Sequence, residues 1–348
     1  MSAAIQEIQS QTAPEITNGG SQSAETIGSA PLVLKTRPQT FLAIPVGAAI
    51  ALAIHYFVPK KEVVLASKYY PTLLWVILGI GILLAALYPF VPRLRAWMRQ
   101  MCPIFGVATL TLGIWELMTT CLGLLPLPYF PGPEGVIGSM ISDYELLFDS
   151  TWHSLMLLVG GYALGTTIAL ITGVTIGWFP HARYWGMPVL KIIGPIPATA
   201  WIPLAMVVSP SSVVSATGLI ALAVWFPVTM LTASGISNTR ASYLDVARTL
   251  GANRFYLIFR VAIPAALPNI FIGLFMGLGT SFLTLVVAEN VGVKSGLGWY
   301  VSWAQGWAEY GKVFGALVIM AAFFSTIMTV LFKVRDRVLV WQKGVIKW

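Results

Sequence analysis

Thr280, Ser281 and Thr284 fall within little more than one helical turn of an apolar run, roughly on one side of a helix. Such a row can hydrogen-bond a polar solute. Hydroxyls in that setting also bond back to carbonyls of their own helix. Glu289 closes the same run and Glu116 lies inside another. A central membrane charge costs roughly 2.5–3.5 kcal/mol, so a buried acid is paired or functional. Glu289 is near enough to the boundary that solvent exposure is expected, whereas a structural pair is expected for Glu116. Lys191 either snorkels to the surface or faces a route and attracts an anion. Trp201 shares its segment with Pro195, Pro197 and Pro203, which free carbonyls and bend a helix. The chemistry offered is reversible binding. No HExxH, no GxSxG, no GxxxxGK(S/T) and no carboxylate cluster within a span occurs, so neither catalysis nor ATP hydrolysis by this chain is expected. His55, His153 and His181 have no ligand spacing, and Cys102 and Cys121 form no CxxC, so no metal site is expected.

The elements that must hold these residues are membrane helices. The 348 residues are 57% hydrophobic and 10% charged, with mean hydropathy +0.79, against roughly 25% charged in soluble domains. The net charge of +8 is scattered over loops; no run is dense enough for nucleic acid. A helical span needs about 20 apolar residues. Eight stretches qualify or nearly do: Phe41–Val58, Tyr70–Val91, Pro103–Leu125, Trp152–Phe179, Trp185–Val208, Val213–Ser234, Pro268–Glu289 and Val313–Phe332. Residues 1–34 are rich in Ser, Gln, Thr and Gly and read as a disordered cytosolic tail, not a signal peptide. Residues 35–98 read as an extra transmembrane hairpin, joined by the basic link PRLRAWMRQM to a six-span unit over 99–348.

Fifteen Lys and Arg collect on one side of these spans, among them Arg93, Arg95, Arg183, Arg248 and Arg254. Five collect on the other: Lys60, Lys61, Lys68, Lys294 and Lys312. The positive-inside rule places both termini in the cytoplasm.

One cytosolic stretch, SYLDVARTLGANRFYLIFRVAIPAALP, is polar and basic between two apolar runs. Ser242 with Asp245 three residues on reads as a capping box. Gly251 falls where a left-handed helix end is wanted. Beyond it, Phe255, Ile258, Phe259 and Ala262 are expected on one face, with Pro264 ending or kinking the second helix. The pair is a site for a soluble partner or an interfacial element lying on headgroups.

This stretch resembles the cytosolic coupling loop (240–264) of binding-protein-dependent ABC importers, patterned E-A-A, three residues, G, nine residues, I-x-L-P. Here it reads Asp245-Val246-Ala247, then Gly251, then Val261-Ala262-Ile263-Pro264 at the same spacings. LKIIGPIPATAWIPLAMV, FIGLFMGLGTSFLTLVVAEN and SGLGWYV are similar to segments of the nitrate, taurine, alkanesulfonate and bicarbonate permeases. The resemblance implies an all-α integral membrane protein, a six-span type I permease core preceded by the extra hairpin. It implies a second permease copy, giving a homodimer, with two ABC ATPase subunits that bind ATP and Mg. A periplasmic or lipid-anchored solute-binding protein is implied too, all at a bacterial plasma membrane. Asp245, Ala247, Gly251, Ala252 and Pro264 are then expected to couple to the ATPase. Lys191, Trp201, Thr280, Ser281, Thr284 and Glu289 are the candidates for a pathway taking an oxyanion. An ion-coupled carrier or channel without a partner ATPase is the alternative; it gives no use to the Asp245–Pro264 pattern.

Overall fold

The computed structural model describes residues 41–61, 68–125 and 127–342, and the expected tail over 1–34 lies outside them. All regular elements among the described residues are helical. In chain order they are α1 (Ala43–Phe57), α2 (Tyr69–Leu87), α3 (Pro92–Glu116), α4 (Pro133–Ser142), α5 (Tyr144–Trp178), α6 (Pro180–Ile193), α7 (Ile202–Val208) and α8 (Ser212–Ser237). They continue with α9 (Ala241–Thr249), α10 (Arg254–Val291), α11 (Leu297–Gly306) and α12 (Tyr310–Val338).

Among the described residues, six helices are long and apolar enough to cross a membrane: α2, α3, α5, α8, α10 and α12. Two of the eight expected spans differ from that simple picture. α1 has only 15 residues and stops at Val58, which is extended before Pro59; the proline ring disfavours helix in the residue preceding it. The fifth expected span is broken. α6 and the Ala198–Val208 segment meet at 83°, around Pro195 and Pro197. Counting that bent pair as one span, α3 and everything after it form a six-span unit.

Two expected loops are helical. The link PRLRAWMRQM is the first part of α3, and the outer loop before Trp152 contains α4 and the start of α5. With 35 residues and a rise of about 1.5 Å each, α5 overshoots a hydrocarbon core of about 30 Å.

α8 is the centre of the unit: 56% of its apolar window is buried, against 17–44% for the other spans. Its seam with α5 comes from small residues every fourth position, Gly161, Gly165, Ala169, Gly173 and Gly177. A methyl at Gly161 would lie 2.6 Å from Ile220 Cγ2, and one at Gly173 2.7 Å from Thr232 Cβ. Small residues let two backbones approach and collect dispersion contacts where no hydrophobic force acts between helices. Thr172 and Thr229 join hydroxyls across the seam at 3.0 Å, and Trp225 Nε1 donates to Thr172 at 3.1 Å. On the other side, α8 packs against Gly273 and Gly277 of α10.

The hairpin α1–α2 packs on α3. Gly47 and Gly106 cross so closely that a methyl on Gly47 would lie 2.7 Å from the Gly106 carbonyl.

Candidate functional site

α9 projects from one end of the bundle and buries none of its residues. Its end is a Schellman turn: Ala252 N–H donates to Ala247 O at 3.0 Å and Gly251 N–H to Arg248 O at 2.9 Å. Gly251 sits at φ +83°, and nothing lies within 4 Å of where its Cβ would be. Backbone conformation, not space, calls for glycine there. Asp245 is exposed and pairs with Arg248 at 3.0 Å. The expected capping box is absent. The helix begins at Ala241 after Arg240, so Ser242 falls inside the first turn and no side chain caps the end.

After the turn, Asn253 Oδ1 accepts from Tyr256 N–H at 2.8 Å and starts α10. A π-helical turn over Leu257–Ala262 follows. This wider turn rotates the face from the one a 3.6-residue period predicts. Leu257, Ile258 and Ala262 are buried, while Phe255 and Phe259, expected on one face with Ile258 and Ala262, are exposed. Pro264 neither ends nor breaks the helix, which runs on to Val291. It lies where the π turn gives way to α-helix.

Hollows flank α9 on both sides. One, of about 530 Å³, is lined by Val246, Ala247, Gly251, Ala252 and Tyr256. The other, of about 590 Å³, is lined by Arg183, Arg248 and Arg254 with Leu244 and Phe179. A partner gripping α9 finds a short exposed helix with an apolar-and-small side and a basic side.

A cleft of about 340 Å³ opens at the α6–α7 break. Gly194, Pro197 and Thr199 of the break face Phe226 and Pro227 of α8 and Thr280 and Thr284 of α10. The three candidate hydroxyls separate here. Thr280 is at the cleft, with Ala223 O of α8 at 2.9 Å and Gly277 O at 3.0 Å. Thr284 also lines it but donates back to Thr280 O at 2.9 Å. Ser281 is fully buried and donates back to Leu278 O. Trp201 is half-buried beside the break, its Nε1 buried with no acceptor among the described residues. Lys191 is exposed on α6 and does not line the cleft.

Glu289 is buried, against the exposure expected for it. Its carboxylate accepts from Ser154 Oγ at 2.7 Å and from Gly298 N–H at 2.8 Å, and Ser154 Oγ accepts from Leu297 N–H at 2.8 Å. A carboxylate on the free amides of α11 is favoured by both hydrogen bonding and the helix dipole. Gly296 (φ +106°) and Gly298 leave room for it; a Cβ on either would crowd the Glu289 side chain. This knot accounts for the SGLG sequence. Beside it, Tyr300 donates to Asp143 Oδ2 at 3.0 Å, and Lys312 Nζ lies 3.0 Å from Asp143 and 2.8 Å from Glu309. Burial, then the Asp143 charge, pushes the Tyr300 phenol up.

A second polar cluster joins the hairpin to α3 and α4. His55 Nδ1 lies 2.6 Å from Glu116 Oε1, and Lys60 Nζ lies 2.9 Å from Glu134 and 3.8 Å from Glu116. Glu116 is therefore paired. His55, which the sequence leaves without a role, is its partner. Ligand atoms of His55, Glu116 and Glu134 come within 4.8 Å of one another, and Lys60 supplies the positive charge between the two acids.

A membrane bundle with a broken helix beside a cleft, and one bare helix beyond it, has the form expected of the transmembrane subunit of a transporter. Residues 165–339, from within α5 to just past α12, match the model of the binding-protein-dependent transport system inner membrane component. The chain belongs to that family, the permease subunits of ABC importers. A probable ABC transporter permease protein of Haemophilus influenzae is 30% identical over 64% of this chain and 91% of its own length. The putative aliphatic sulfonates transport permease protein SsuC of Bacillus subtilis is 30% identical over 60% and 76%. The nitrate import permease protein NrtB of Synechococcus elongatus is 27% identical over 57% and 76%.

Proposed function

We propose that this permease moves a small solute, an oxyanion of the nitrate, sulfonate or bicarbonate type, through the cleft at the α6–α7 break, driven by an ATPase that grips α9. Two ATPase chains carrying ATP and Mg and two copies of the permease form the complex. A binding protein delivers the solute to the face opposite α9, and both termini lie in the cytoplasm of a bacterial cell. The hairpin α1–α2 is an accessory to the six-span unit from about residue 99 onward.

One observation carries this reading. α9 is a nine-residue helix with no buried residue, closed at Gly251 by a left-handed turn and connected within a few residues to two spans at the cleft. A helix that buries none of its residues in its own chain has most of its surface free for a partner. The cleft wall has no charged side chain; its polar groups are the hydroxyls of Thr199, Thr280 and Thr284. The Thr280 and Thr284 hydroxyls already donate to carbonyls, so a solute engages them only by exchanging those bonds and is held weakly enough to be released; charge selection then rests with the binding protein. The names of the sulfonate and nitrate relatives support the solute class. An ion-coupled carrier without an ATPase gives no use to the exposed helix α9 or to the Asp245–Pro264 pattern.

The test is Gly251→Val. A β-branched residue forced left-handed costs about 1–2 kcal/mol and distorts the end of α9 without touching the cleft. Solute-binding-protein-dependent uptake is expected to fall at least about tenfold, with the permease still folded in the membrane and its ATPase partner lost on co-purification. Unchanged uptake and unchanged co-purification would remove α9 as the coupling element. Failure of oxyanion uptake in the wild type alone would remove only the solute class.

A further inference from the structure

A groove of about 370 Å³ opens on the lipid-facing side between α5, α10 and α12. Val159 and Ala163 of α5, Leu278 of α10, and Ile327, Val330 and Val334 of α12 form its walls. Its two polar side chains are already used: Tyr162 OH donates to Leu274 O at 2.9 Å and Thr326 Oγ1 to Ala322 O at 2.7 Å. What remains offers no hydrogen bond and suits a hydrocarbon chain.

The groove has a direction and a length. On α12 it runs from Thr326 to Val334, about 12 Å at 1.5 Å per residue, close to one leaflet of a hydrocarbon core about 30 Å thick. α10 and α12 each cross the membrane once after α9, so Val334 lies towards the α9 face. Arg337 follows Val334 by three residues and Val330 by seven, on the same helical face. It is exposed and has no ion pair among the described residues. Its neighbour Arg335 is engaged with Asp336 and with the rings of Phe275 and Phe332. Trp341, also exposed, follows Arg337 by four; tryptophan concentrates at the headgroup level.

We propose that this groove holds one acyl chain of an anionic phospholipid whose phosphate rests on Arg337. An unpaired cation at the mouth of a leaflet-long apolar groove matches the two ends of such a lipid. Occupancy fills the gap that otherwise separates α12 from α5, so the bound lipid is part of the packing of the last span.

Native mass spectrometry of the delipidated full-length permease, titrated with dioleoyl phosphatidylglycerol or dioleoyl phosphatidylethanolamine, tests this. One arginine near the surface favours an anionic lipid about fivefold. The wild type is expected to retain one phosphatidylglycerol with about that preference. Arg337→Gln is expected to equalise the two lipids with thermal stability unchanged. Ala163→Trp, at an exposed position on the groove wall, is expected to remove the bound lipid of either type. Equal retention of both lipids by the wild type, or an unchanged phosphatidylglycerol count in Ala163→Trp, means annular lipid only and overturns the proposal. If Ala163→Trp does not fold, Arg337→Gln decides alone: a persisting preference for phosphatidylglycerol overturns it.

Discussion

The two buried acids show what a residue's neighbours in space can do that its neighbours in sequence cannot announce. Glu289 ends an apolar run and looks solvent-bound, yet it fastens α11 to α10 through Ser154 and the Gly298 amide. Glu289→Gln keeps the size but cannot accept from both donors with equal geometry, leaving a buried polar group short of a partner at about 1–3 kcal/mol. A correspondingly lower melting temperature by tryptophan fluorescence is expected. Glu289→Asp, with its shorter reach, is expected to lose stability as well; stability unchanged in both would show that the knot is incidental. Ser154 and Glu289 stand 135 residues apart, and His55 and Glu116 stand 61 apart. No local pattern reveals either pair. Gly251 could be located from sequence because a helix end is specified by adjacent residues. Ser242 misleads for the same local reason: shifting the helix start by a residue makes a cap into an ordinary first-turn serine.

Among the elements, periodicity finds the spans but not their irregularities. Phe255 and Phe259 are assigned to the wrong face because the π turn over Leu257–Ala262 departs from 3.6 residues per turn. The prolines behave unequally. Pro195 and Pro197 lie at the 83° break, whereas Pro227 and Pro268 lie inside helices that continue. Nearby packing decides which occurs. The α5–α8 seam is written in the spacing of Gly161, Gly165, Ala169, Gly173 and Gly177, a signal the hydropathy pattern hides. It gives a matched pair of tests. Gly165→Leu places atoms where Ala221 and Val224 already stand and overpacks the seam by at least about 1–3 kcal/mol. Gly160→Leu, one helical position from the seam with open space beyond it, is expected to leave membrane levels and melting unchanged. Equal behaviour of the two variants would show that the seam does not hold α5 to α8.

At the scale of the whole molecule, the hairpin is attached by a glycine crossing and a buried charge cluster. Lys60 is 32% exposed and its partner Glu134 5%. Lys60→Met breaks the ion pair with Glu134 and is expected to cost no more than the low end of the about 3–5 kcal/mol for breaking a buried pair, given the lysine's exposure. Adding Glu134→Gln is expected to restore much of the loss, and a double-mutant cycle on thermal melting measures the coupling. Additive losses would mean that the two side chains do not act together. Six of the spans and the bare helix could be read from the chain, because each is a property of a contiguous segment. The hairpin's attachment and the cleft could not, because each is assembled from segments far apart.

Only residues 238–240 separate α8 from α9, and only residues 250–253 separate α9 from α10. The most deeply packed shaft of the bundle and its neighbour are thus both geared to one knob with almost no backlash. In the proposed coupling, a displacement imposed there has no slack chain in which to dissipate, and it is expected to reach Phe226 and Thr280 on the two walls of the cleft together.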